Sequence, residues 1–254
     1  GMLNRLEQEI GYPVLRRGSG GVSLTEAGEA LIPHVERILR DSRALEQAIA
    51  DHRPEERRIL RIGSYTSISR NWLPPVLKGF GAQFPDVQLT VKDGSCMDIE
   101  QWLMEGTIDV GLLSNCFSAP LEFLPLLQDP YYAVLPPEER PGETFDISAF
   151  NGRTFFIPSK GVDTEVLRIL ERSGVTPRFS LIAPEDSAVS KMVEQGLGCS
   201  LLSELILRGN TDHVSLVPID PPAFREVGAA VRSLKKVGPV LRSFLHYIRR
   251  DAEK

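Results

Sequence analysis

Apolar positions recur first at helical spacing, then at strand spacing, then in a regular exchange of the two. In MLNRLEQEIG, residues 2–11, Leu3, Leu6 and Ile10 share one helical face, and Gly11 supplies a left-handed stop past the last turn. Pro13 prevents the helix from resuming. Val14-Leu15 and Val22-Leu24 predict two short strands paired across RRGSGG, whose glycines accept the positive φ of a tight hairpin. Thr25 is a good N-cap for EAGEALIPHVERILRDSRALEQAIADH, with apolar positions 31, 35, 38, 39, 45, 48 and 49 forming an irregular stripe. Pro33 falls inside that segment, so the helix either starts near it or is kinked there. HRPEERR follows as a charged linker without an apolar anchor.

From Ile59 the texture changes. ILRIGSY, VQLTV, IDVGLL, YYAVLP, TFFIP, FSLI, GCSLL, VSLVPI and EVGAAV read as strands. LPPVLKGFGAQF, DIEQWLMEG, FDISAF, TEVLRILERSG, SAVSKMVEQG and VGPVLRSFLHYIRRDAEK read as helices between or after them. Leu73, Val76, Leu77, Phe80 and Phe84 lie on one face of the first of these, and Ile99, Trp102 and Leu103 point inward on the second. Such alternation predicts parallel sheets covered by helices on both faces. No internal repeat or low-complexity tract interrupts it.

Composition narrows the function more than the fold. A chain of 254 residues, 42% hydrophobic and 25% charged, is long enough for one large or two moderate cores. Its formal net charge of -5 requires any nucleic-acid contact to come from a local basic patch. Three cysteines at wide spacing (Cys96, Cys116 and Cys199) argue against a disulfide framework and a zinc site, and fit a reducing compartment. No basic-then-apolar leader is present, and no apolar run approaches the roughly 20 residues that span a bilayer. The expected location is the cytoplasm. Gly1 before Met2 reads as a scar of tag removal, which makes Met2 the first encoded residue.

Catalytic machinery is not found. The four histidines are scattered, and GxSxG, P-loop and HExxH motifs are absent. Asp98, Glu100, Asp109, Glu185 and Asp186 form no paired-carboxylate pattern. Cys199, in an apolar strand, reads as a core filler. What stands out are hydroxyls where strands give way to helices: Thr66, Ser67 and Ser69 in GSYTSISRNWLPP, Ser95 in KDGSCMDIE, and Ser159 in Pro158-Ser159-Lys160. Such corners lie at the carboxyl ends of open α/β sheets, where N–H groups and hydroxyls converge on anions. Simple capping is the alternative for any one of them. A second constellation joins Arg16 and Arg17 of the Gly-rich hairpin to a helix bearing Asn4 and Arg5, the layout of a wing beside a recognition helix. Glu7 and Glu9 nearly offset its charge, leaving a solvated Arg-Gly turn as the competing reading.

The word order RLEQEIGYPVLRRGSGGVSLTEAGEALIPHVERIL resembles the back half of the DNA-binding module of LysR-type transcriptional regulators, over all 31 positions of residues 2–32. LRIGSYTSISRNWLPPVLKGF, EGTIDVGLL and EDSAVSKMVEQGLGCSLLSE are similar to the effector-binding domain of the same family. The resemblance implies an α/β chain with two Rossmann-like subdomains of periplasmic-binding-protein type 2, preceded by a long linker helix and a partial winged helix-turn-helix. Residues 2–24 are then the end of the recognition helix and the wing, 25–58 the linker helix and hinge, and 59–254 the effector-binding domain. Subdomain I is expected at about 59–135 and 221–254, subdomain II at about 136–220.

By position, Thr66, Ser67, Ser95 and Ser159 become effector contacts, with Tyr65, Arg70, Cys96 and Lys160 beside them. Asn4, Arg5, Arg16 and Arg17 become the DNA-facing residues. The implied partners are a small anionic effector carrying a carboxylate, promoter DNA, and a second copy paired through the linker helix, with a tetramer as a further possibility. No metal, cofactor or catalytic residue is implied. The first helix, the turn and the start of the recognition helix do not precede Met2, so DNA binding by this chain is expected to be impaired. A stand-alone small-molecule-binding protein of the same fold is the alternative.

Overall fold

The computed structural model of the chain describes residues 2–18, 21–51, 58–157, 164–180, 186–209 and 213–252. At the front, α1 (Met2–Ile10) ends at Gly11, whose φ of 84° closes the helix with an N–H donated to the Glu7 carbonyl at 3.0 Å. The Glu7 carboxylate then accepts the N–H groups of Val14 and Leu15, at 2.7 and 3.1 Å, and so ties the helix to the chain after Pro13. β1 (Leu15–Gly18) and β2 (Gly21–Leu24) pair antiparallel with Leu15 opposite Leu24, as the hairpin pattern predicts.

Thr25 caps α2 (Glu26–Asp51). Its Oγ1 accepts the Gly28 N–H at 3.0 Å and donates to the Pro13 carbonyl at 2.9 Å. The helix runs continuously through Pro33, so it does not begin there. Ile32, Val35, Ile38, Leu39, Leu45 and Ile49 leave it exposed, which accounts for much of the irregular stripe.

The remaining elements alternate as β3 (Arg58–Ser64), α3 (Thr66–Asn71), α4 (Leu73–Gln83), β4 (Val87–Asp93), α5 (Cys96–Glu105), β5 (Val110–Ser114) and β6 (Glu122–Leu135). Then come β7 (Phe145–Asp146), β8 (Thr154–Phe156), α6 (Thr164–Arg172), β9 (Arg178–Ser180), α7 (Asp186–Glu194), β10 (Ser200–Ser203), α8 (Glu204–Leu207), β11 (Ser215–Asp220), β12 (Phe224–Val231) and α9 (Pro239–Ala252). FDISAF is not the expected helix; it divides into β7 and a 3₁₀ turn over Ile147–Phe150.

The main sheet has the order β4-β3-β5-β12-β6-β11-β7, with β10 also paired to β6. Only part of it is parallel. β4, β3 and β5 run together, whereas β12, β10 and β11 pair antiparallel with their neighbours on β5 and β6. The alternation of strands and helices therefore overstates the parallel content, because chain segments that cross back carry no helix to announce a reversal. β6 is also far longer than YYAVLP suggests. It starts at Glu122 and runs through Pro125 and Pro130.

That length lets β6 serve two cores. Leu124, Leu126 and Leu127 pack with Leu60, Ile62, Phe80, Val227 and Phe244 in the first lobe. Tyr131, Ala133 and Leu135 pack with Phe145, Phe150, Phe155, Val166 and Leu201 in the second. Beside the first lies a smaller group of Ile99, Leu103, Ile108, Leu113 and Ala230 beneath α5.

Candidate functional site

Two strand-to-helix corners stand side by side because β3 and β4 are parallel neighbours with Ser64 opposite Asp93. At the first, Tyr65 precedes α3 and donates its backbone N–H to the Leu112 carbonyl at 3.0 Å. Thr66 is exposed and Ser67 buried. Arg70 sits exposed on the last turn of α3. At the second corner, Ser95 caps α5 in a capping box: its Oγ accepts the Asp98 N–H at 3.3 Å and the Asp98 carboxylate accepts the Ser95 N–H at 2.9 Å. The Ser95 hydroxyl also donates to that carboxylate at 2.7 Å. Ser95 is thus committed to the helix end. Ser95→Ala should lower stability by about 1 kcal/mol, read from the urea midpoint at unchanged slope. Ser159 and Lys160 lie outside the described residues.

Behind Ser67 lies a buried ion pair. Arg225, 5% exposed, donates through Nη2 to Ser67 Oγ at 3.1 Å and through Nε to the Asp129 carboxylate at 2.8 Å. Asp129, 1% exposed, also accepts the Leu205 N–H at 2.9 Å. The guanidinium stands 5.7 Å from the centre of the Tyr65 ring. Burial alone pulls the Arg225 pKa down; the charges of Asp129, Tyr131 and Glu165 and the Asp129 hydrogen bond outweigh it and hold the group charged.

The two lobes also meet through α6. Glu165 Oε2 accepts the Ser114 hydroxyl at 3.0 Å from the end of β5, and the Tyr131 hydroxyl at 3.5 Å from β6. The Tyr65 hydroxyl lies 3.3 Å from Ser114 Oγ and 2.9 Å from Cys116 Sγ. A line of polar contacts therefore runs from Ser67 by way of Arg225 and Tyr65 to Ser114 and Glu165.

Cys96 and Cys116 form a disulfide, joining the first residue of α5 to the segment after β5. This corrects the expectation drawn from the odd cysteine count. An odd total says only that one thiol is left over, and that thiol is Cys199. Burial pushes the Cys199 thiol up from its ordinary 9.0 to about 11, against a smaller downward pull from Arg153. Because the folded value is the higher, this thiol's contribution to stability is complete below pH 9 and is lost as pH rises through about 11. Native alkylation of Cys199 should be undetectable at pH 8 and appear only on unfolding.

On the front module, Arg5 pairs with Glu9 at 3.3 Å on an exposed helix face, and Arg16 donates to Ser23 Oγ at 3.3 Å. The side chains of Asn4 and Arg17 lie outside the described residues. Among the described residues no group of three or more metal-ligating side chains converges, and no helix is long and apolar enough to cross a membrane.

The LysR substrate binding domain matches residues 53–253. The chain belongs to the LysR family of transcriptional regulators. It is 24% identical over 251 residues to the HTH-type transcriptional regulator YvbU of Bacillus subtilis, covering 96% of this chain and 85% of that protein. The CcmR regulatory domain of Synechocystis PCC6803, solved in complex with 2-PG, superposes with a TM-score of 0.70 at 21% identity, over 77% of this chain and 98% of that one. Full-length CbnR complexed with its target DNA superposes with a TM-score of 0.64 at 21% identity, over 98% of this chain and 87% of that one. Residues 53–253 thus carry the effector-binding domain of a LysR regulator, with the periplasmic-binding-protein type 2 fold. LysR regulators bind small-molecule effectors and DNA, form oligomers, and are not enzymes.

Within this LysR chain, Tyr65 and Cys96 pack against the same apolar group beneath α5, Ser67 meets Arg225, and Thr66 and Arg70 are exposed on α3. Sequence reading missed Ser114, Cys116, Asp129, Tyr131, Glu165 and Arg225. Asp129 carried one signal: it is the one charge in LPLLQDPYYAVL, whereas Arg225 stands beside a second charge, Glu226, in FREVGAAV.

Proposed function

We propose that this LysR regulator senses a small carboxylate-bearing metabolite between its two lobes, held by the β3–α3 corner against Ser114 and Glu165. One observation carries the reading: the orientation of Ser67. A guanidinium only donates hydrogen bonds, so Arg225 occupies an acceptor position on Ser67 Oγ and leaves the hydroxyl proton to be given elsewhere. A carboxylate at the corner accepts that proton together with the Thr66 hydroxyl and the N–H groups opening α3. Ser95, being committed to its cap, contributes the shape of the corner more than a contact. Arg70 and Lys160 are the further cations suited to such a ligand.

A thermal-shift screen of mono- and dicarboxylic acids tests this, with Thr66→Ala as the comparison because Thr66 is exposed and its loss spares the core. The variant should bind any hit about tenfold more weakly, roughly the 1.4 kcal/mol of one hydrogen bond to a charge. Hits confined to uncharged ligands, or equal affinity in the variant, contradict the reading.

The exposed stripe of Ile32, Val35, Ile38, Leu39 and Leu45 suits pairing of α2 with its copy in a second subunit. Arg5, Arg16 and Arg17 against Glu7 and Glu9 leave residues 2–24 with little net positive charge. We infer weak, salt-sensitive DNA contact by this chain, and a gel shift showing tight operator binding refutes that. A regulator acts beside its promoter, which favours the cell interior as its location.

A further inference from the structure

We propose that Cys96 and Cys116 are a reversible thiol–disulfide centre at the mouth of the cleft, whose state decides which acceptor receives the Tyr65 hydroxyl proton.

The polarity of the hydrogen bonds carries the argument. Ser114 gives its hydroxyl proton to the Glu165 carboxylate, which accepts only. The contact between Tyr65 and Ser114 is then a hydrogen bond only if Tyr65 donates. A disulfide sulfur also accepts and cannot donate, so while the bridge stands Cys116 competes for the same proton. Reduction turns Cys116 into a thiol that donates to the Tyr65 oxygen. The phenol proton then shifts toward Ser114, tightening the line from β3 to Glu165 on α6.

The surroundings suit a bridge that opens and closes without unfolding. The Ser95–Asp98 capping box holds the Cys96 side. The Glu100 carboxylate, accepting the N–H groups of Ser118 and Ala119 at 3.2 and 2.7 Å, holds the segment just past Cys116. Buried Ile99, Leu103, Ile108, Leu113 and Ala230 pack beneath, so the two sulfurs stay neighbours when the bond is broken. Both cysteines are only half-buried, within reach of a small thiol. The far end of α5 meets the linker helix, where Arg40 Nη1 donates to the Met104 carbonyl at 2.9 Å. A change at Cys96 is thus carried by one helix to α2.

The chemistry is thiol exchange. A low-molecular-weight thiolate attacks one sulfur, the other leaves as a thiolate, and a second thiol resolves the mixed disulfide. Two external thiols become one external disulfide, and two protons end on Cys96 and Cys116. The reverse reaction uses the external disulfide as oxidant. In the reducing cell interior, disulfides are typically transient or redox-sensing rather than structural.

The coupling rests on reading the cleft as the effector site, whereas the thiol chemistry does not, and the experiment separates them. The chain is equilibrated in glutathione buffers from fully oxidised to fully reduced, quenched with N-ethylmaleimide and weighed intact. The adducts on Cys96 and Cys116 should appear together across the series while circular dichroism stays constant. A bridge that persists in every buffer, or never forms, overturns the proposal. Hydrogen exchange of the same samples should show segment 164–172 exchanging several-fold more slowly when reduced, and Tyr65→Phe should remove that difference while leaving the glutathione titration in place. Equal exchange in both states, or a difference that survives Tyr65→Phe, overturns the coupling.

Discussion

Asp129→Ala should destabilise the chain by about 3–5 kcal/mol, the usual consequence of stranding a buried cation. Arg225 would keep its charge at 5% exposure with only Ser67 as a close hydrogen-bonding partner among those described, and the Leu205 N–H would lose its acceptor. Equilibrium urea unfolding measures the loss, and a shift under about 1 kcal/mol would show that water replaces the carboxylate. Removing both charges tests the cause. Asp129→Leu combined with Arg225→Met should recover most of the loss, because the penalty belongs to the unpaired charge rather than to the pair. On the reading proposed above, the double variant should nonetheless bind a carboxylate poorly, since Arg225 would no longer occupy the acceptor position of Ser67.

Phe80→Ala should cost a similar amount, about 3–5 kcal/mol, by a different route. Phe80 is fully buried on α4, with ring centres 4.6 Å from Phe84, 5.2 Å from Phe244 and 5.6 Å from Tyr247. Truncation leaves a void that rigid neighbours cannot fill, and two of those neighbours belong to α9. Gly79 permits the approach: a Cβ there would collide with the Tyr247 hydroxyl. Unfolding should show the lower midpoint at an unchanged slope, and hydrogen exchange of residues 239–252 should speed up with it. Normal protection of α9 in the variant would mean that its docking does not depend on this ring.

Most elements were legible because their apolar spacing is decided locally. The cap at Thr25, the stop at Gly11 and the face of α4 each depend on residues a few positions apart. β6 extends well before YYAVLP, through Pro125 and Pro130, residues that ordinarily break a strand. In the fold Pro130 stands opposite Phe224 at the last pair of the ladder, and Pro125 faces Gly228 where the β12 register shifts, so neither interrupts a regular run. The site was half legible for a related reason. Tyr65, Thr66 and Ser67 belong to one strand-to-helix corner, whereas the Asp129–Arg225 pair spans 96 residues and the Cys96–Cys116 bridge spans 20, and no local pattern joins either pair. Glu165 reaches Ser114 across 51 residues and from the other lobe, which only the folded chain brings near.

The length of β6 bears on how this protein moves. The chain passes between lobes along β6 and returns where β11 leads into β12, and these two passages lie side by side in one sheet. Two adjacent strands resist stretching and sliding, because their ladder would have to break, yet they twist about their shared direction at little cost. The lobes are left with one soft degree of freedom, a single angle. On the reading proposed above, a ligand bridging Ser67 to Glu165 would fix that angle, and its binding would become a rotation to be passed to a second copy.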